Sequence, residues 1–195
     1  MDCSQRLIAI TGGIGSGKSV VCRMLCAMGY PVYDCDTEAK RIMDGSDVIK
    51  QGIAREICAE AISEVGIDRR KLSETVFGSP ELLNKLNALV HSAVRDDLAQ
   101  WSADKPLAFV ETAILYQSGL HRMVDEVWNV TAPEEVRIAR VMKRNSLDRA
   151  SIERRISAQD SFVIEEPHEH VREIINDDVE ALLPQINALI AQIRK

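Results

Sequence analysis

Short apolar segments alternate with longer amphipathic stretches along the chain. Five of these segments have the length of strands, at residues 7–10, 32–34, 107–110, 127–130 and 171–175, and the first has the apolar, β-branched character of a buried parallel strand. The stretches between them repeat apolar residues at helical spacing, which leaves each helix one face to pack on a sheet. This alternation predicts an α/β fold with a core parallel sheet of about five strands flanked by helices.

The longest interval between predicted strands runs from residue 46 to residue 104. Its apolar residues predict helices over 49–62, 67–77 and 80–101, the last opened by the cap residue Ser79. An interval of roughly sixty residues is too long for an ordinary connection. We therefore predict an inserted helical subdomain that holds a second substrate. Further helices are predicted over 114–120, 146–161 and 179–193, together with one that begins near residue 132.

The first predicted strand leads into a glycine-rich segment. Residues 12–19 read GGIGSGKS and fit G-x-x-x-x-G-K-[ST] at every fixed position, and a predicted helix follows. Glycines allow backbone N–H groups to approach phosphate oxygens, which the helix N-terminus also attracts. Lys18 would contact the β- and γ-phosphates, and the Ser19 hydroxyl would bind Mg²⁺. We predict a P-loop NTPase-type site for a nucleoside triphosphate; the alternative is a glycine-rich turn with a solvated lysine.

Two carboxylates follow the second predicted strand. Asp34 and Asp36 lie at its C-terminal end, where open α/β sheets bind ligands. In an extended segment both would lie on the same side, and we expect Asp34 to be the more buried. A kinase needs a carboxylate for the proton of the acceptor hydroxyl and cations for the phosphoryl group, which arginines of residues 137–155 would supply. The alternatives are turn or cap residues and a solvated helix face.

Composition narrows the classes of function. The chain has 195 residues and a net charge of −6, which argues against a general nucleic-acid surface. Its five cysteines include no C-x-x-C pair, and no apolar stretch has the length of a signal peptide or of a membrane span. The segments N-K-x-D and L-S-G-G-Q, typical of GTPases and of transporter ATPases, are absent. We predict a cytoplasmic small-molecule enzyme, monomer or weak homo-oligomer, with neither nucleic acid nor membrane as a partner.

The combined motifs resemble those of the dephospho-coenzyme A kinases. TGGIGSGKS, the D-x-D at residues 34–36, IDRRKL, LNALVH, RxxxR and SAQ occur in matching order between residue 7 and about residue 159. The resemblance implies transfer of the γ-phosphate of ATP to the ribose 3′-hydroxyl of dephospho-CoA, the final step of coenzyme A biosynthesis. It also implies one P-loop kinase domain over 1–195, with a CoA-binding insertion at 46–104 and a mobile lid at 145–167.

The same resemblance implies roles for individual residues. Asp36 would be the general base beside the acidic Asp34, Arg140 and Lys18 would stabilise the transferred phosphoryl group, and His91 would help to hold the acceptor with both aspartates. ATP would be bound by residues of the glycine-rich segment and its flanks: Thr11, Gly12, Gly13, Ile14, Gly15, Ser16, Gly17, Lys18, Ser19, Val20 and Arg144.

The chain also departs from the family pattern. Residues 111–117 read ETAILYQ where many members have D-x-P-L-L-F-E, and Ser92 replaces a proline. Only Ile175 and Asn176 match the I-x-N near the C-terminus. Two other functions stay open, namely a kinase of another small acceptor such as a nucleoside monophosphate, and a non-catalytic ATP-binding regulatory module.

Overall fold

The computed structural model describes residues 5–63, 65–145 and 148–193. Strands in these ranges are β1 (Arg6–Thr11), β2 (Val32–Asp34), β3 (Ile62–Ser63), β4 (Gly66–Ile67), β5 (Leu107–Glu111), β6 (Glu126–Thr131) and β7 (Val171–Ile175). The α-helices are α1 (Lys18–Ala27), α2 (Cys35–Gly45), α3 (Asp47–Glu56), α4 (Arg69–Phe77), α5 (Pro80–Ser102), α6 (Glu134–Asn145), α7 (Arg149–Asp160) and α8 (Leu182–Ile193). Short 3₁₀ helices span Ala59–Ala61 and Leu120–Arg122.

The described chain divides into two compact units. The first comprises residues up to Tyr33 and from Lys105 onwards, and the second comprises Asp34–Asp104. The large sheet has the strand order β2-β5-β1-β6-β7, and β1 pairs in parallel with both β5 and β6. The predicted α/β fold with five sheet strands is therefore confirmed. Because the chain crosses from one side of β1 to the other, the carboxyl end of β1 lies at a topological switch point, where such sheets bind ligands.

Aromatic rings form the centre of the first unit. Phe109 of β5 packs against Trp128 of β6 and Tyr30, with ring centroids 5.2 and 5.6 Å apart. Apolar residues of α1 and α8 complete this core, including Leu25 and Ile186, which are fully buried. The near-continuous apolar character of β1 follows from its central position, because both faces of a central parallel strand are covered.

The second unit is helical and has its own polar links. In α5, Ser79 Oγ accepts a hydrogen bond from the backbone N–H of Leu82 at 3.3 Å, as the sequence predicts for a cap residue. Arg41 of α2 donates twice to Asp97 of α5, at 2.7 and 2.8 Å. An exposed ion pair adds little stability, so buried apolar residues of these helices, such as Leu98, account for most of the packing.

Two helix predictions in this sequence are wrong, the first in its extent and the second in its type of structure. The helix predicted over 49–62 ends at Glu56, and β3 and β4 then form a small antiparallel hairpin that the sequence analysis did not anticipate. Gly66 has φ +121° in this hairpin, a conformation that glycine adopts without strain. The helix predicted over 114–120 is a set of turns, and Gly119 with φ 75° precedes the 3₁₀ helix.

The ends of two other helices also differ from the prediction. The final helix begins at Leu182 rather than at residue 179, because Asp177 accepts hydrogen bonds from the backbone N–H groups of Val179 and Glu180 in a preceding turn. The helix predicted over 146–161 spans Arg149–Asp160, and residues 146–147 lie outside the described ranges. None of the helices in the described ranges combines the length and hydropathy that a membrane span requires.

The aromatic core makes a testable prediction about stability. Phe109→Ala leaves a cavity beside Trp128, so we expect the free energy of unfolding to fall by about 3–5 kcal/mol. Phe77→Ala is the control, because Phe77 is 91% exposed and its truncation should change the value by less than about 0.5 kcal/mol. Urea unfolding followed by circular dichroism measures both; equal effects of the two changes would contradict this description of the core.

Candidate phosphate-binding site

Residues 12–19, called here the phosphate loop, comprise the tight turn after β1 and the first two residues of α1. Gly12 has φ +146°, and a Cβ atom there would lie 2.2 Å from the backbone oxygen of Val130 in β6. Gly17 precedes α1 with φ +97°, and a Cβ atom there would lie 2.0 Å from Nδ2 of Asn176. Glycine is therefore required at both positions, by backbone conformation and by the lack of space.

The Lys18 side chain lies along the phosphate loop. Its Nζ donates to the carbonyl oxygen of Gly12 at 2.8 Å and to that of Gly13 at 3.4 Å. The ammonium group is thus held at the carboxyl end of β1, the place that the motif predicts for it. Ser19 is exposed in the first turn of α1, and Thr11 is a buried residue at the end of β1.

Arg140 reaches the phosphate loop from α6. Its Nη1 donates to the carbonyl oxygens of Gly15 and Ser16 at 3.5 and 3.4 Å, and its Nη2 donates to Asn176 Oδ1 at 3.2 Å and to Asp178. Asn176 Nδ2 also donates to the Ser16 carbonyl oxygen, at 2.7 Å. The structure therefore brings Lys18 and Arg140 to one loop, whereas Arg144 is exposed one turn further along α6.

The residues that hold Arg140 and the loop were not among those predicted from the sequence. Asn176 belongs to the I-x-N segment, which offered a signal for it, but nothing near Asp178 indicated an ion pair with Arg140. Arg137 was predicted only as one of several arginines that could supply a cation for the phosphoryl group. In the structure its Nε donates to the carbonyl oxygen of Ile14 at 2.9 Å. Gln159 also contacts the loop, since its Oε1 accepts from the Ile14 N–H group at 2.8 Å.

An open cleft of about 500 Å³ adjoins the phosphate loop. Gly12, Gly13 and Ser16 form part of its lining, together with residues that follow β5, residues of β6, and residues of α6 and α7. This volume is in the range of small-molecule and cofactor sites. All these elements belong to the first unit, so the phosphate loop and the cleft are built on one sheet and its helices.

The two aspartates after β2 have different surroundings. The Asp34 carboxylate caps α2: it accepts from the N–H groups of Asp36 and Thr37 at 3.0 and 3.3 Å, and from the Thr37 hydroxyl at 2.8 Å. Asp36 lies in the first helical turn, and its carboxylate accepts no hydrogen bond from the residues that the structure describes. Cys35 and Asp36 are helical, so the expected extended segment is wrong; both carboxylates are exposed, so Asp34 is not a buried residue.

His91 lies on α5 in the second unit and is half-buried. Burial lowers the pKa of His91 below its ordinary value, and the nearby charge of Arg95 lowers it further, because both disfavour the imidazolium. These surroundings favour the neutral imidazole, which offers one donor and one acceptor nitrogen. The structure does not assign a ligand to it.

His168 and His170 have a structural explanation. The backbone N–H of His170 donates to His168 Nδ1 at 3.0 Å, which leaves His168 Nε2 as the donor to the Val124 carbonyl oxygen, also at 3.0 Å. No group of three or more potential metal ligands occurs among the residues with described positions. These histidines connect the segment before β7 to the loop before β6.

Comparisons with known proteins agree on one family. The dephospho-CoA kinase family model matches residues 6–181. A dephospho-CoA kinase from Porphyromonas gingivalis is 36% identical, with 96% of this chain and 94% of that protein covered. A dephospho-CoA kinase from Bacteroides fragilis is 37% identical, with 94% of this chain and 91% of that protein covered.

Solved structures show the same fold. A crystal structure from Thermus thermophilus has a TM-score of 0.75 and 33% identity, and the match covers 97% of each chain. The dephospho-CoA kinase of Campylobacter jejuni has a TM-score of 0.67 and 20% identity, over 97% of this chain and 98% of that one. Shikimate kinase from Acinetobacter baumannii has a TM-score of 0.58 and 15% identity, and the match covers 97% of this chain and 93% of that one. The last two likenesses are evidence for the fold alone.

The environment of His91 predicts how its titration responds to a change of charge. Arg95→Gln removes a cation that disfavours the imidazolium, so the pKa of His91 should rise. It should stay below the ordinary value of about 6.5 because burial remains. NMR titration of the histidine Cε1 protons measures this, with Arg55→Gln on α3 as the control. An unchanged pKa in the Arg95→Gln variant would contradict the assigned cause.

Proposed function

Because the chain belongs to the dephospho-CoA kinase family, we propose that it transfers the γ-phosphoryl group of ATP to the ribose 3′-hydroxyl of dephospho-CoA. The products are coenzyme A and ADP. The observation that carries the proposal is the phosphate loop, in which Lys18 and Arg140 both contact loop carbonyl oxygens. Cations so placed would stabilise the negative charge of a transferring phosphoryl group.

The donor site would use the loop in two ways. Its backbone N–H groups and the N-terminus of α1 would bind the phosphates, while the Lys18 ammonium would exchange its carbonyl partners for phosphate oxygens. Arg140 would do the same from α6, and Arg144 would contribute where the predicted lid, residues 145–167, closes over ATP. The described part of that lid includes α7.

Ser19 would hold Mg²⁺. Its hydroxyl is exposed in the first turn of α1, and oxygen is the ligand type that Mg²⁺ prefers. One or two protein oxygens suffice, because substrate phosphates and water provide the others. When bound, Mg²⁺ neutralises charge on the phosphate oxygens.

Asp36 would be the general base, and Asp34 would orient it. A base must have a carboxylate available to the acceptor hydroxyl, and the Asp36 carboxylate is exposed without a described hydrogen-bond donor. The Asp34 carboxylate is occupied as the cap of α2, where it fixes the backbone of Asp36. We propose that both contribute to the acceptor site.

The second unit would bind the acceptor. It contains the helical insertion predicted over 46–104, and the neutral imidazole of His91 provides a hydrogen-bonding group there. We further propose a cytoplasmic enzyme, a monomer or weak homo-oligomer, with no nucleic acid or membrane partner. The net charge of −6 supports the absence of a nucleic-acid partner.

A comparison of acceptors tests the function. The purified protein with ATP and Mg²⁺ should form ADP and a 3′-phosphorylated product with dephospho-CoA, at a rate at least about a hundred times that with AMP, CMP or shikimate. Product mass and ³¹P NMR identify the phosphorylated position. Faster turnover of AMP or CMP would favour a nucleoside monophosphate kinase, and no turnover of any acceptor would favour a regulatory module.

The two aspartates provide a matched pair of variants. Asp36→Asn should lower the single-turnover rate by a factor on the order of 10²–10⁴, while ATP and dephospho-CoA still bind, because an amide cannot accept the proton. Asp34→Asn should retain most of the rate, because asparagine is as good a helix cap as aspartate. Rapid-quench kinetics over a Mg²⁺ titration measures both. The reverse order of effects would make Asp34 the base.

A further inference from the structure

Ile14 connects the phosphate loop to helices α6 and α7 through three separate contacts. Its N–H group donates to Gln159 of α7 at 2.8 Å, and its carbonyl oxygen accepts from Arg137 of α6 at 2.9 Å. Its side chain packs against a buried cluster that the two helices share, formed by Ile138, Val141, Ile152 and Ile156. The position of this loop residue therefore depends on both helices.

Gln159 also contacts a second wall of the cleft. Its Nε2 donates to the carbonyl oxygen of Ala113 at 3.1 Å. Ala113 begins a segment after β5, residues 113–117, of which Ala113, Leu115, Tyr116 and Gln117 line the cleft. A glutamine side chain can accept with one end of its amide and donate with the other. Gln159 uses both ends, and thereby joins the phosphate loop to the 113–117 segment of the cleft wall.

This inference rests on the proposed function, under which the phosphate loop would hold the phosphoryl donor. The 113–117 segment lines the same cleft. Transfer rates depend steeply on the geometry of the reacting groups, and a displacement of about 1 Å can lower a rate by about 10². A residue that sets the spacing of the walls would therefore act on transfer more than on binding.

We propose that Gln159 is a positioning residue, which holds the phosphate loop and the 113–117 wall in the spacing that phosphoryl transfer requires. Both hydrogen bonds contribute, because each one fixes a different wall. Arg137 and the apolar contacts of Ile14 keep the loop attached to α6 when Gln159 is changed, so variants at Gln159 should still fold.

Single-turnover kinetics with ATP and dephospho-CoA test the proposal, because that rate constant does not depend on the fraction of folded protein. Gln159→Ala should lower it ten- to a hundred-fold, while the Kd of ATP changes less than about threefold. Ser157→Ala, an exposed position on the same helix, should match the wild type. Gln159→Glu keeps an acceptor for Ile14 but presents a second oxygen to Ala113, so it should resemble Gln159→Ala.

Hydrogen exchange provides a readout that needs no activity. In Gln159→Ala the exchange of the Ile14 amide should accelerate at least about tenfold, because its hydrogen-bond acceptor is gone. The amide of Val20, which donates to the Gly17 carbonyl oxygen at 2.9 Å, should be unchanged and serves as the internal control. NMR exchange on the wild type and the variant measures both amides.

The outcomes separate the inference from the proposed function. A wild-type protein that does not phosphorylate dephospho-CoA contradicts the function, and the exchange experiment still decides whether Gln159 holds the loop. Wild-type rates in Gln159→Ala, or unchanged exchange of Ile14, overturn the positioning role. A wild-type rate in Gln159→Glu alone would show that only the bond to Ile14 matters, and would overturn the two-wall mechanism.

Discussion

The rest of the site depends on how closely the phosphate loop approaches its neighbours. At Gly12 the space for a side chain is taken by a carbonyl oxygen of β6, and at Gly17 by the amide of Asn176. The lack of a side chain at both positions therefore lets the loop lie directly against β6 and against Asn176. Side chains at these two positions would push the loop away from β6 and from Asn176. The N-terminus of α1 would move with the loop, and the anion-binding position that it offers would be lost.

Cationic side chains make the same loop electrostatically suited to phosphate. Lys18 and Arg140 donate to its carbonyl oxygens, so two positive charges are already held where negative charge would arrive. The carboxylate of Asp178 forms an ion pair with Arg140, which reduces the repulsion between Arg140 and Lys18. Prepositioned charges need little reorganisation when a reaction begins, and this is the usual source of electrostatic catalysis.

The carboxylates and the imidazole of the candidate acceptor site belong to the other unit. Asp34 and Asp36 open α2, and His91 lies on α5, so local helix geometry decides their surroundings. Asp34 became a helix cap because α2 starts immediately after β2, which also turned Asp36 into a helical residue. The two carboxylates of the D-x-D therefore differ in the hydrogen bonds they already make, because only that of Asp34 caps the helix.

The amino-acid sequence by itself determined the five sheet strands, the phosphate loop and the family, because apolar runs, glycines and motif spacing act over a few neighbouring residues. It also placed the start of α5 through Ser79 and Pro80. Only the tertiary structure decided that Ile14 is held by Gln159 and Arg137, and that Arg140 pairs with Asp178. Those partners lie more than thirty residues apart in the chain, and no local pattern encodes contacts that form only when the sheet and its helices pack together.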